Sequence, residues 1–355
     1  MRFCLALGHQ SWTAGVPAVQ IERTIALARA ADAAAFDSIW LTEDPDGWDA
    51  FAVLAMLARE TTRIRLGTGV TSPFSRHPNL IAASLATLDR ISAGRAFLGL
   101  GRGQAEWHRK ALGVRIADPL AAVEETVDLL RQWQRPPHAA SSKGPIPIDN
   151  WQRSVLSLNA PPIYLAATGP KMQTLAGRIA DGVRFNELAS FAYLEESIDR
   201  VRAAAAGAGR DPAALRFFFN PGIRISDDPR VALDDLKATI AMIHTLPGMD
   251  RQLAGPAFDV ELVMARVRAL MKTDEILARG GNFNEMRRLG DLAAAKRAIP
   301  DDLVRAVAVV GPVADVRRRL GQLAALGVTD VFYNISRSPG GIAALSDVIA
   351  SVAPA

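Results

Sequence analysis

A chain of 355 residues that is 49% hydrophobic and 22% charged, with a mean hydropathy of +0.11, has the composition of a soluble globular protein and room for one large domain or two smaller ones. Its net charge of +4 is spread thinly, with no basic stripe interleaved with aromatics, which argues against nucleic acid as a partner. No apolar run approaches the roughly 20 residues that span a bilayer, and a single cysteine, Cys4, leaves no intrachain disulfide and no thiolate metal cluster.

The apolar stretch near Met1 is too short for a secretory leader, so the expected compartment is the cytoplasm. Arg2 to Leu7 reads as a strand, followed by a polar loop with His9, Gln10 and Trp12, then a helix with Ile21, Ile25 and Ala28 on one face. Ser38 to Leu41 is a second strand ending in Thr42-Glu43-Asp44-Pro45-Asp46-Gly47-Trp48, before a helix from Asp49 to Glu60. Ile64 to Val70 is the third strand. Its glycines, Gly67 and Gly69, suggest a bulge or a backbone that passes close to a ligand. Pro78 then opens a helix with Ile81, Leu85, Leu88 and Ile91, closed by Gly94.

Arg95 to Leu100 is the fourth strand, entering Gly99-Leu100-Gly101-Arg102-Gly103, and Leu120, Val123, Val127 and Leu130 mark the next helix. Gln134 to Pro162 holds six prolines and no period, so it reads as a long irregular excursion. Strands follow at Ile163 to Ala167, Gly182 to Phe185, Leu215 to Phe219 (with an extension toward Ile225) and Thr329 to Tyr333. Between the last two, about 229–300 reads as a helical insertion broken at Gly280-Gly281. Eight short, continuously apolar strands, each followed by a helix, predict an α/β fold: a (β/α)8 TIM barrel, rather than a doubly wound open sheet, in a single domain with insertions at about 134–162 and 229–300.

In such a barrel the site lies at the C-terminal ends of the strands. Those ends carry His9, Glu43, Asp44, Trp48, Gly69, Val70, Thr71, Arg102, Gly103, Gln104, Thr168 to Lys171, Asn186, Glu187, Asn220 and Asn334. The five histidines never occur in metal-ligand spacing, and Gly-x-Ser-x-Gly is absent, so neither a metal hydrolase nor a serine hydrolase is expected. Gly99-Leu100-Gly101-Arg102-Gly103 does not have the Rossmann spacing and reads either as a plain turn or as room for a flat ligand. Thr168-Gly169-Pro170-Lys171 opens a helix and suits a phosphate, unless Thr168 is simply its cap. Glu43 and Asp44 suit either helix capping or acid–base work.

Together, Ser38-Ile39-Trp40-Leu41-Thr42-Glu43-Asp44, Leu66-Gly67-Thr68-Gly69-Val70-Thr71-Ser72-Pro73, Arg76-His77-Pro78, Phe97 to Gly103, Ala167 to Lys171, Ala180-Asp181-Gly182 and Val310-Gly311-Pro312 resemble the luciferase-like monooxygenase superfamily of flavin- and deazaflavin-dependent oxidoreductases. They are most similar to the branch with methylenetetrahydromethanopterin reductase and the glucose-6-phosphate dehydrogenase that uses coenzyme F420. The resemblance implies a non-proline cis peptide at Gly69–Val70 beneath the ring and a phosphate turn at Thr168, Gly169, Pro170 and Lys171. It also implies ring-side groups at Glu43 and Asp44, an aromatic wall at Trp48 and a homodimer. Where that branch carries an acid after the fourth strand this chain has Gln104, which cannot shuttle a proton at neutral pH. The expectation is a coenzyme F420-dependent hydride transfer with a small-molecule substrate; the alternatives are an FMN-dependent monooxygenase and a non-catalytic flavin-binding barrel.

Overall fold

The computed structural model describes residues 1–7, 17–45, 47–255, 258–333 and 345–352. In chain order the strands are β1 (Arg2–Leu7), β2 (Ser38–Leu41), β3 (Arg65–Thr68), β4 (Ala96–Leu100), β5 (Ala139–Ser142), β6 (Ile148–Gln152), β7 (Ile163–Ala166), β8 (Gly182–Glu187), β9 (Arg216–Asn220), β10 (Arg224–Ile225), β11 (Val310–Gly311) and β12 (Asp330–Tyr333). Eight of them close into a barrel in the order β1-β2-β3-β4-β7-β8-β9-β12, every neighbouring pair parallel.

The period of two along each strand separates two cores. Outward residues such as Leu5, Ile39, Leu66, Leu98, Leu165, Val183, Phe217 and Val331 join the helices in one large cluster. Inward residues Cys4, Trp40, Phe97, Tyr164, Phe218 and Phe332 fill the barrel itself. Trp40 packs at ring-centroid distances of 4.5 Å from Phe97 and 4.7 Å from Phe218, so this aromatic layer is a solid plug.

Below the plug the barrel is closed by charge. Asp330, its side chain fully buried, accepts hydrogen bonds from Arg2 Nε at 2.9 Å and Arg216 Nε at 3.0 Å, and Arg216 also donates to Asp37 at 2.7 Å. Burial alone would raise the Asp330 carboxyl, but the hydrogen bonds and charge of Arg216 hold it below its ordinary value. Burial and the nearby Asp330 charge push the Cys4 thiol well up, so it stays protonated.

Four expectations need correction. The 134–162 excursion is not wholly irregular, because β5 and β6 form an antiparallel hairpin within it. Its strands are short and polar (Ala-Ala-Ser-Ser opposite Ile-Asp-Asn-Trp-Gln), so no apolar period announces them. A helix at Ala105–Leu112, unforeseen from the pattern, follows β4 at once and ends at left-handed Gly113. The seventh barrel strand stops at Asn220; Arg224–Ile225 pairs instead with Val310–Gly311. That small sheet brackets the helical insertion, which continues past 300 through the helix Asp301–Val307 and has a hydrophobic cluster of its own around Leu236, Met264, Val267 and Val304. The break at Gly280-Gly281 falls between the helices Thr273–Ala278 and Phe283–Leu289, as the sequence led us to expect.

Candidate active site

The regular part of β3 ends at Thr68, earlier than the apolar run suggests, and the Gly69–Val70 peptide that follows is cis. Here β3 leaves the ladder and then rejoins it: the Gly69 amide donates to the Leu41 carbonyl at 2.6 Å, and Thr71 regains β4 through its amide to the Gly99 carbonyl at 2.9 Å. Thr68 fills the gap, its hydroxyl donating to the Gly99 carbonyl at 2.6 Å and accepting from the Gly99 amide at 3.2 Å. Only glycine fits around this bulge. A Cβ on Gly69 would lie 2.8 Å from that of Trp40, and one on Gly101 would lie 2.8 Å from Val70 Cγ2. The Val70 side chain therefore rests over Gly101.

Glu43 does not stand ready as a free acid or base. Its carboxylate accepts from the Thr71 hydroxyl and from Arg76 at 2.7 and 3.2 Å, and its side chain is only 9% exposed. Arg76 also donates to Asp49 at 2.8 Å and lies 5.2 Å from the Phe51 ring centre. Burial would lower the Arg76 pKa, yet its two carboxylate partners raise it. The capping alternative for Glu43 and Asp44 falls away, because Asp49 caps the helix Ala50–Glu60 by accepting from the Ala52 amide at 3.0 Å. Asp44 is half-buried and its carbonyl accepts from the Gly47 amide at 3.0 Å; Trp48 is half-buried against the outer core.

After β4, Arg102 is exposed, and Gly103 takes a positive φ of 66° directly against the His108 ring. Gln104 precedes the helix Ala105–Leu112 without capping it through its side chain. After β7, the helix Pro170–Ile179 starts from Gly169, which has no side chain to cap it, so Thr168 is not the cap. The Thr168 carbonyl is fixed by the Tyr193 hydroxyl at 2.6 Å. Space around Gly169 is open and Lys171 is exposed, leaving amides, a macrodipole and a cation at one helix start. His9, Gln10, Trp12 and Asn334 lie outside the described residues.

Sequence reading missed Arg184. It sits on β8 between outward-facing Val183 and Phe185, and so points into the barrel. Its guanidinium reaches across the aromatic plug, 5.0 Å from the Phe332 ring centre and 5.6 Å from that of Trp40, and Nη1 donates to the Gly69 carbonyl at 2.5 Å. Its Nε is shut away from solvent without a hydrogen-bond partner among the described residues. Burial brings its pKa down to about 10, with the charge of Glu187 pulling the other way, so it remains a cation at neutral pH. Glu187 in turn accepts from Asn220 at 3.0 Å. One signal was available: a charged residue on the inward phase of a buried parallel strand.

A closed parallel barrel with a plugged interior and a polar, glycine-lined mouth has the architecture of a TIM-barrel enzyme with its site at the C-terminal ends of the strands. The chain belongs to the luciferase-like monooxygenase family, whose model matches residues 1–330. It is 28% identical over 327 residues to the 5,10-methylenetetrahydromethanopterin reductase of Methanolobus tindarius, covering 92% of this chain and 93% of that one. The structure of the coenzyme F420-dependent tetrahydromethanopterin reductase from Methanopyrus kandleri superposes with a TM-score of 0.77 at 23% identity, covering 99% and 98% of the two chains. A type II Baeyer–Villiger monooxygenase from Pseudomonas putida, in complex with FMN, superposes with a TM-score of 0.67 at 18% identity over 99% and 98%. Both structural likenesses speak to the fold.

Proposed function

We propose that this oxidoreductase uses coenzyme F420 and moves a hydride between C5 of the deazaflavin and a small organic substrate. The observation that carries the reading is the bulge at the end of β3, where a cis Gly69–Val70 peptide carries Val70 over Gly101 at the barrel mouth. Val70 would support the ring, with Trp48, Gly103 and Arg102 around it; Thr71, fully buried with its hydroxyl on Glu43, would hold the bulge from behind rather than touch the ring. The uncapped helix start at Thr168, Gly169, Pro170 and Lys171 would take the phosphate. When bound, the deazaflavin supplies two-electron chemistry that no side chain can supply. Among the residues of this chain, Glu43 fixes Thr71 and Arg76, Asp44 borders the mouth, and Gln104 offers a hydrogen bond without a proton to transfer. A relative from Mycobacterium tuberculosis, 30% identical over 346 residues, is named a putative coenzyme F420-dependent oxidoreductase, which supports F420 over FMN. Anaerobic titration of the purified protein with each cofactor tests this: tight F420 binding is expected, and tight FMN binding without F420 binding overturns it.

We also propose a homodimer. Leu80, Trp151, Val155 and Leu158 are all between 51% and 58% exposed, and all lie on or beside the β5–β6 excursion and the start of the helix it covers. Light scattering should give twice the monomer mass, and a Trp151→Glu variant should shift it toward the monomer; a monomeric parent protein would sink the idea.

A further inference from the structure

Arg184 is buried as a cation although the hydrogen bond it makes goes to a neutral carbonyl, that of Gly69. A guanidinium buried among aromatic rings is costly unless its donors and its charge are matched. Among the described residues, one Nη bonds a neutral carbonyl, Nε has no partner, and the carboxylate that pulls on the charge, Glu187, is itself engaged by Asn220. The contrast with Arg216 at the other end of the barrel, which meets two carboxylates directly, makes the mismatch specific to the mouth.

The proton inventory of the mouth points the same way. Glu43 is spent on Thr71 and Arg76, and the position after β4 holds Gln104. His108, buried behind Gly103, faces the Gln104 carbonyl at 2.8 Å. Asp44 and Glu187 are the other carboxyls at the described mouth, and Arg184 is the buried cation that faces negative charge there.

We propose that Arg184 is a positioning and charge-stabilising residue for the cofactor ring: its fixed positive charge, held at the barrel mouth by the Gly69 carbonyl, stabilises the oxyanion edge of the ring when the ring is reduced. This rests on the reading of the protein as a deazaflavin enzyme. A hydride is one proton with two electrons, so a ring that accepts one gains one negative charge; Arg184 lets that charge persist until a proton arrives from solvent. In the reverse direction it is released with the hydride. The site thereby favours the reduced, anionic cofactor and raises the reduction potential of the bound couple.

The experiment measures dissociation constants of oxidised and reduced F420 anaerobically, by fluorescence titration and competition, for the parent protein, Arg184→Lys and Arg184→Met. Thermal unfolding checks that each variant is folded. The parent is expected to prefer the reduced form, Arg184→Met to lose at least tenfold of that preference, and Arg184→Lys to retain part of it. An unchanged ratio of the two constants in Arg184→Met overturns the proposal while leaving F420 dependence standing. So does a result in which only binding of small carboxylates such as acetate or benzoate to the holoprotein is lost, because the anion is then the substrate's. If the parent binds FMN and not F420, the deazaflavin reading fails on its own, and the same ratio measured with oxidised and reduced FMN decides the role of Arg184.

Discussion

The two ends of the barrel interior both bury an arginine against aromatic rings, and they treat it in opposite ways. At the floor, Arg216 lies 4.8 Å from the Phe218 ring centre and is saturated by Asp330 and Asp37, which lift its pKa despite burial. At the mouth, Arg184 lies against Phe332 and Trp40 with a carbonyl and an idle nitrogen, and its pKa falls to about 10. A saturated ion network has nothing left to offer a ligand and serves to close the structure. An unsaturated one costs stability where it stands and persists where a ligand completes it.

The largest effect that would break this contrast is at the floor. Asp330→Asn leaves Arg2 and Arg216 facing a neutral group in a buried site, which is expected to cost about 3–5 kcal/mol of stability. Denaturant unfolding reads that loss directly. Cofactor affinity of the folded fraction should stay within about twofold, since a group engaged wholly in closing the barrel does not touch the ligand. A large loss of affinity with little loss of stability would erase the distinction between the two ends.

A smaller effect separates structural from chemical roles within the mouth itself. Glu43→Gln keeps an acceptor for Thr71 but removes the charge that meets Arg76, whose side chain is 21% exposed. Partial solvent access puts the expected cost between that of a buried and a surface pair, about 1–3 kcal/mol. If Glu43 only holds Thr71 and Arg76 in place, the activity of the variant falls without any change in the shape of its pH profile. Disappearance of one limb of the profile would restore Glu43 as a proton-transfer group.

Why one of these arginines was missed follows from what each element shows in one dimension. The barrel was legible because strands covered on the outside by helices read as continuous apolar runs, as in Phe97-Leu98-Gly99-Leu100 and Ile163-Tyr164-Leu165-Ala166. The bulge was legible because glycine is needed where Trp40 and Val70 press on the backbone. Partnerships were not. Glu43 meets Arg76 across 33 positions and Arg184 meets Gly69 across 115, and neither pairing leaves a local pattern. The β5–β6 hairpin escaped for another reason: its register is set by hydrogen bonds between small and polar residues, such as Ala140 opposite Trp151, rather than by an apolar stripe.

The smallest predicted effect concerns how the insertion is fastened beside the mouth. His244, in the π-helical turn Ile240–His244, is fully buried, with Nδ1 3.0 Å from the Met249 carbonyl and Nε2 3.0 Å from the Glu187 carbonyl at the end of β8. Burial lowers its pKa and outweighs the opposing pull of those two carbonyls and of Asp250. The unfolded chain, with an ordinary histidine near 6.5, then takes up the proton first as pH falls. Stability attached to neutral His244 is full above that value and is lost as pH drops toward the lower folded value, by at most about 1.4 kcal/mol per pH unit. Unfolding free energies measured between pH 7.5 and 5 should fall for the parent protein, and the fall should be shallower in His244→Asn by the part that this ring contributes. A fall that is steeper in His244→Asn than in the parent would mean that the ring is already protonated when folded, bridging both carbonyls as a cation. The insertion would then be clasped to β8 by charge, making the mouth an assembly of cations on both Glu43 and Glu187 sides and weakening the case that Arg184 stands there alone.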